Sequence, residues 1–209
     1  MVLKGVKNII LDLGGVIINL NQELTIKAFQ KLFGDKFTEI QEQLKVNKYL
    51  EKVETSEITI AEFIAFFQKF DSSISATQIT TAWNSMLLGI SQERVDLIKR
   101  LSKNYNVYLL SNTNPIHYEY IEEYATEQFK IESFKNLFKH AYLSHEVKLR
   151  KPNSSIFEYV LNDAAMVSEE TLFVDDTIEH INVAKELGIR TEHLNLTNEQ
   201  SLIKLFHEH

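Results

Sequence analysis

The chain has 209 residues, a formal net charge of −7 and no cysteine. That length suits one domain carrying an insertion, and the acidic balance speaks against a nucleic-acid or anionic-membrane partner. Missing thiols remove disulfides, thiolate metal sites and a cysteine nucleophile.

The first element in the chain is an apolar run, Ile9-Ile10-Leu11, that ends in Asp12 and continues as Leu13-Gly14-Gly15. Residues 8–13 read as a buried strand. A packed strand has no use for a carboxylate there, whereas a backbone that turns sharply beside a ligand has good use for two glycines. Asp12 also interrupts the run, which lacks a small-residue cleavage site, so a signal peptide is not expected. No run is long enough to span a membrane. A cytoplasmic location is the expectation.

From Asn21 to about Leu88 the pattern is helical. Thr38 with Gln41, Thr59 with Glu62, and Ser75 with Gln78 read as capping boxes. Phe63, Phe66, Phe67 and Phe70 fall at i, i+3, i+4 and i+7, one face of a helix whose plain use is packing rather than a substrate-facing wall. Gly89 reads as a helix stop, and Ser91 caps a helix over 92–103.

Strand and helix then alternate. Strands are expected at 106–110, 140–143, 171–175 and 190–194, with helices near 115–128, 153–165, 178–187 and 198–206, the last with a capping box at Thr197 and Gln200. This alternation predicts an α/β fold: a Rossmann-like parallel sheet with helices on both faces. The strand at 8–13 joins the same sheet, so the helices between are an inserted small all-helical cap. The expected division is a core of 1–19 and 90–209 and a cap of 20–89.

Asp12, Ser111, Asp175 and Asp176 all fall at the carboxyl ends of predicted strands, where open α/β sheets bind ligands. Lys151 lies on a loop from which it reaches the same crevice. Ser111-Asn112-Thr113-Asn114-Pro115 fits a capped turn, with Asn114 as cap and Pro115 in the first turn, and its hydroxyl and amides suit an anion. Each signal has a bland reading: a turn alone, a solvated acidic pair, a surface lysine. Their order along the chain is what gives them weight.

Asp12-Leu13-Gly14, Ser111-Asn112-Thr113-Asn114, Arg150-Lys151-Pro152 and Asp175-Asp176, in that order, resemble the haloacid dehalogenase (HAD) superfamily. The chain looks most like its sugar-phosphate phosphatases with Asp-Leu-Gly in the first motif. The resemblance covers roughly 8–18 and 105–190. It implies an enzyme that hydrolyses a small phosphorylated metabolite, such as a hexose 1-phosphate, with Mg²⁺ as cofactor. It implies Asp12 as nucleophile, forming an aspartyl-phosphate. Asp12, Asp176 and the backbone carbonyl of Gly14 would hold the metal. Ser111, Asn112 and Lys151 would hold the phosphoryl oxygens.

Two positions depart from that pattern. Gly14 stands where many relatives carry a second Asp that protonates the leaving oxygen, help usually worth about 10²–10⁴-fold. That favours a good leaving group, such as an anomeric hydroxyl. His180 stands four residues after Asp176, where Asp or Asn is usual; it reads either as a hydrogen-bonding support for the acidic pair or as an exposed helix residue. Two competing readings remain: a metal-free 2-haloacid dehalogenase, which the acidic pair disfavours, and a non-catalytic binding module. His117, His140, His145 and His193 show no ligand spacing.

Overall fold

A computed structural model describes residues 3–195 and 201–206 of the chain. Strand β1 (Asn8–Leu11) is buried throughout. It stops before Asp12, sooner than expected, because the chain turns at once: Gly15 sits at φ 71°, and the amides of Ile17 and Ile18 both donate to Leu13 O at 2.9 Å. A side chain at Gly15 would be strained in that left-handed conformation.

Five helices follow: α1 (Gln22–Phe33), α2 (Phe37–Val46), α3 (Tyr49–Glu54), α4 (Ile60–Gln68) and α5 (Ala76–Asn84). The capping boxes of Thr59 with Glu62 and Ser75 with Gln78 form in both directions. The expected box at Thr38 does not form. A 3₁₀ turn, Gly34–Lys36, runs straight into α2, whose cap is Lys36 without a side-chain bond, so Thr38 lies inside the helix. The 3₁₀ turn already occupies the place where a cap would bind free amides.

The rest of the chain alternates as expected: α6 (Gln92–Leu101), β2 (Asn106–Ser111), α7 (Pro115–Phe129), β3 (His140–Leu143), α8 (Ser144–Val147), α9 (Ser154–Asp163), β4 (Thr171–Asp175), α10 (Ile178–Glu186), β5 (Arg190–His193) and α11 (Leu202–Phe206). The short α8 was not anticipated. The last helix is shorter than 198–206, and the Thr197–Gln200 box lies outside the described residues.

The sheet has strand order β3-β2-β1-β4-β5 with every pair parallel. Alternation divides the strand residues between two cores. Ile9, Leu11, Val107, Leu109, Leu172 and Val174 face α6, α7 and α11. Ile10, Tyr108, Leu110, Tyr142 and Phe173 face α9 and α10. A third core lies among α1–α5. Phe29 stacks on Phe67 at 4.7 Å, and Phe63, Phe66 and Phe67 are buried, confirming the packing role of the phenylalanine face. Ile116 of α7 also joins this third core, so the inserted helices rest on the helix that follows β2. The segments leading in and out of the insertion pair with each other: Asn21 N donates to Met86 O at 2.9 Å and Leu88 N to Asn19 O at 3.0 Å.

Candidate active site

The carboxyl ends of β1, β2 and β4 open into a cavity of about 510 Å³ whose other wall comes from α1, α3 and α5. Asp12, Gly14, Ser111, Asn112, Lys151, Asp176 and His180 all line it. Strand ends deliver the acids, as the topology dictates: Asp12 directly follows β1, with its amide bonded to Val174 O at 3.0 Å, and Asp175 closes β4.

Lys151 organises the site. It is fully buried, and its ammonium donates to Asp12 Oδ1 at 2.7 Å, Asp175 Oδ2 at 2.6 Å and Leu110 O at 3.0 Å. An ammonium has three hydrogens, and all three are used. The loop that carries it is clamped by Asn112, whose Nδ2 donates to Lys151 O at 2.8 Å and whose Oδ1 accepts from Lys151 N at 2.9 Å. Asn112 was expected to touch the phosphoryl group; here its amide spends its oxygen and one N–H on the lysine backbone. Among the described residues Ser111 has only a long contact, 3.4 Å to Asn112 O, which leaves its hydroxyl available to a ligand.

Asp175 is held from three sides. Besides Lys151, Thr177 N donates to its Oδ1 at 2.8 Å, and His180 Nδ1 lies 3.0 Å from each carboxylate oxygen. The carboxylate accepts, so Nδ1 carries the hydrogen. His180 is therefore a support of the acidic pair rather than an exposed helix residue. His193 Nε2 donates to Asp176 O at 3.0 Å, anchoring the next backbone group.

The charges follow from this geometry. Burial pushes the Asp12 carboxyl well above its ordinary range, with the Asp175 charge adding to the rise and Lys151 opposing it. Burial acts on Asp175 in the same sense, but Lys151 and His180 outweigh it and hold that carboxyl low. Asp176 is pushed up by burial and by Asp175. Burial would lower Lys151, yet the two carboxylates hold its ammonium above the usual lysine range. Three carboxylates thus face one ammonium.

That surplus is what a divalent cation neutralises. One oxygen from each of Asp12, Asp175 and Asp176 lies within 4.8 Å of the others, a spacing that a single hard cation bridges. The donor set is all oxygen, which suits Mg²⁺. A carboxyl raised by burial and like charge is also one that a cation pulls back to its ionised form.

A side chain at Gly14 would need Leu20 to give way. A Cβ there would lie 2.8 Å from Leu20 Cδ1. The cavity's far wall holds groups the sequence did not single out. Glu54 Oε2 accepts from Arg150 Nε at 3.0 Å and pairs with its Nη2 at 2.9 Å. Burial pushes the Glu54 carboxyl up, and Arg150 pulls it back. His117 stacks on Trp83 at 4.9 Å, donates from Nε2 to Trp83 O at 3.1 Å, and is pushed down to about 4 by burial. Asn114 caps α7 as expected and also accepts from Trp83 Nε1 at 3.4 Å. Arg150 stood inside a motif, so it was findable; Glu54 and Trp83 sit in an ordinary helical pattern and gave no signal.

Comparison with known proteins agrees with this geometry. The family described as haloacid dehalogenase-like hydrolase matches residues 9–193. The chain is 30% identical over 194 residues to a D-ribitol-5-phosphate phosphatase of Bacteroides thetaiotaomicron, covering 89% of this chain and 90% of that one. A solved HAD family enzyme from the same organism, bt-2542, in complex with magnesium and inorganic phosphate, superposes with a TM-score of 0.83 at 38% identity, covering 90% and 93% of the two chains. A predicted HAD-like family hydrolase of Porphyromonas gingivalis superposes with a TM-score of 0.79 at 29% identity over 98% and 99%.

Proposed function

The chain belongs to the haloacid dehalogenase-like hydrolase family, and from that premise we propose that it is a Mg²⁺-dependent phosphatase of small polyhydroxylated phosphate monoesters, sugar or alditol phosphates. The observation that carries the reading is the buried Lys151 ammonium shared by Asp12 and Asp175, with Asp176 alongside. A metal-free haloacid dehalogenase has no need of three converging carboxylates.

Asp12, Asp176 and the Gly14 carbonyl would hold the cation, with Asp175 close enough to share it. When bound, it offsets the repulsion between an anionic nucleophile and an anionic ester. Lys151 fixes the Asp12 carboxylate in place and faces the phosphoryl oxygens with positive charge, and the Ser111 hydroxyl donates to one of them. Asp12 attacks phosphorus. The Asp12 O–P bond forms, the ester P–O bond breaks, and the departing alkoxide takes a proton from solvent, since position 14 offers none. Water then attacks the aspartyl-phosphate. Its oxygen joins phosphorus, the Asp12 carboxylate is released, and the water's proton leaves to solvent.

Hexose 1-phosphates suit the missing acid, because the anomeric oxygen leaves more readily than a primary alkoxide. The similarity to a phosphatase named for ribitol 5-phosphate, a primary ester, supports the alditol arm. The test is phosphate release from hexose 1-phosphates, hexose 6-phosphates, ribitol 5-phosphate and p-nitrophenyl phosphate, with Mg²⁺ and with excess EDTA. Mg²⁺-dependent turnover is expected. Full activity in EDTA, or none on any ester, overturns the reading.

A further inference from the structure

The cavity has one end built for phosphate and another with no assigned task. At that second end the walls are largely apolar: Leu20, Ile26, Leu50, Trp83 and Met86. Most of its polar atoms are already spent on the protein. Thr25 Oγ1 donates to Trp83 O at 3.0 Å and accepts from Met86 N at 3.1 Å. Trp83 Nε1 is used by Asn114, and His117 Nε2 by Trp83 O.

Glu54 differs. It closes α3, its side chain is 23% exposed, and it lines the cavity. Arg150 engages its Oε2 through two nitrogens, while no described residue donates a hydrogen bond to Oε1. The neighbouring Arg150 is not a spare cation, because Glu54 takes its Nε and Nη2 while Glu51 lies 3.9 Å from its Nη1. Glu51 in turn lies 3.9 Å from Lys48 Nζ, so within the cavity the Arg150 guanidinium is matched by the Glu54 carboxylate. A carboxylate accepts hydrogen bonds and repels anions.

We propose that Glu54 reads the alcohol half of the substrate: its free Oε1 accepts a hydrogen bond from a substrate hydroxyl, selecting a neutral polyhydroxylated monophosphate over one that carries a carboxylate or a second phosphate. This rests on the phosphatase reading above and names the chemistry of its substrate. Arg150 is the positioning residue, and it sits next to the lysine that holds the nucleophile, so the two ends of the cavity are fixed by adjacent residues. A charge-assisted hydrogen bond is roughly twice as strong as a neutral one, so removing the charge while keeping the shape is the informative change.

The experiment compares glucitol 6-phosphate with 6-phosphogluconate, a pair that differs by an alcohol against a carboxylate at one end, in the parent and in Glu54→Gln. p-Nitrophenyl phosphate, which has no hydroxyl, reports the chemistry alone, and the melting temperature reports folding. The parent should prefer the alditol phosphate in kcat/KM by at least about tenfold. Glu54→Gln should narrow that preference by about tenfold, chiefly through KM for the alditol phosphate, and its loss on that ester should exceed any loss on p-nitrophenyl phosphate. A parent that cleaves p-nitrophenyl phosphate but shows no preference within the pair overturns the inference and leaves the phosphatase reading standing. So does a Glu54→Gln variant whose losses run in step on all three esters, which marks Glu54 as structural. A parent inactive on every ester overturns both.

Discussion

Leu20 occupies the space that a side chain at Gly14 would need: a Cβ there would meet Leu20 Cδ1 at 2.8 Å. Position 14 is thus without a proton donor and filled by hydrocarbon. Leu20 is 36% exposed and the clashing atom is the far end of its side chain, so it can move aside. The missing acid is therefore a property of position 14, and an acid placed there fits once Leu20 gives way or is shortened.

The parent should show a rate that depends steeply on leaving-group basicity, since no side chain at position 14 protonates the departing oxygen. With aryl phosphates of graded phenol pKa, log kcat/KM should fall along the series, and a hexose 1-phosphate should be cleaved faster than the matching 6-phosphate. Gly14→Asp combined with Leu20→Ala should flatten the aryl series and raise turnover of the poorest leaving group by about 10–10²-fold, part of the usual worth of a general acid. A flat series in the parent, with chemistry rate-limiting, would show that a donor exists elsewhere.

Lys151→Met keeps much of the side-chain volume and removes the charge. It leaves Asp12 and Asp175 buried without their shared partner, a loss of about 3–5 kcal/mol for a broken buried pair, or roughly 6–20 °C in Tm for a chain of this size. Turnover should fall by at least about 10³-fold, because both nucleophile and phosphoryl group lose the ammonium. Added Mg²⁺ should restore part of the melting temperature and none of the activity. Thermal melts with and without the cation, beside phosphate release, check both halves.

His180→Asn retains a donor for Asp175 and His180→Ala does not. Supporting groups of this kind typically account for about 10–100-fold in metal affinity or activity. The alanine variant should need correspondingly more Mg²⁺ for half-maximal activity, and the asparagine variant should recover most of the difference. Equal Mg²⁺ titrations for parent and alanine variant would count against a supporting role.

What the sequence made legible was whatever rests on local pattern. Apolar runs of strand length ended in Asp12, Ser111 and Asp175, and strand ends gather at one edge of a parallel sheet, so the acids had to converge. Helix limits were harder. Thr38 matches a capping box in letters, but the 3₁₀ turn before it had already begun the helix. Lys151 sits on a loop, and no periodicity says how deep a loop lysine reaches; only the observed bonds to two carboxylates do. The Glu54–Arg150 pair joins residues 96 apart in the chain, and Gly14 meets Leu20 only because a tight turn at Gly15 brings them together. These contacts are set by tertiary packing, to which local pattern is blind.

The cavity wall around His117 supplies a test that needs no substrate. The imidazole stacks on Trp83, and burial pushes it down to about 4, against about 6.5 in an unfolded chain. The folded pKa is the lower one, so between those values the unfolded state binds more protons than the native state. Stability from this group is full above about pH 6.5, falls as pH drops through that window, and is lost below about 4. At about 1.4 kcal/mol per unit, the full loss is on the order of 3.5 kcal/mol. His117→Phe keeps an aromatic ring against Trp83 but cannot titrate, and it gives up the bond to Trp83 O. It should therefore be less stable than the parent at pH 7 and lose less on acidification. Urea unfolding at pH 7, 6, 5 and 4.5 checks this, since carboxyl titrations common to both chains cancel in the difference. Parallel pH dependences for the two proteins would mean that His117 protonates freely in the folded state. The cleft would then carry a positive charge near neutral pH, close to where the substrate's alcohol half is proposed to sit.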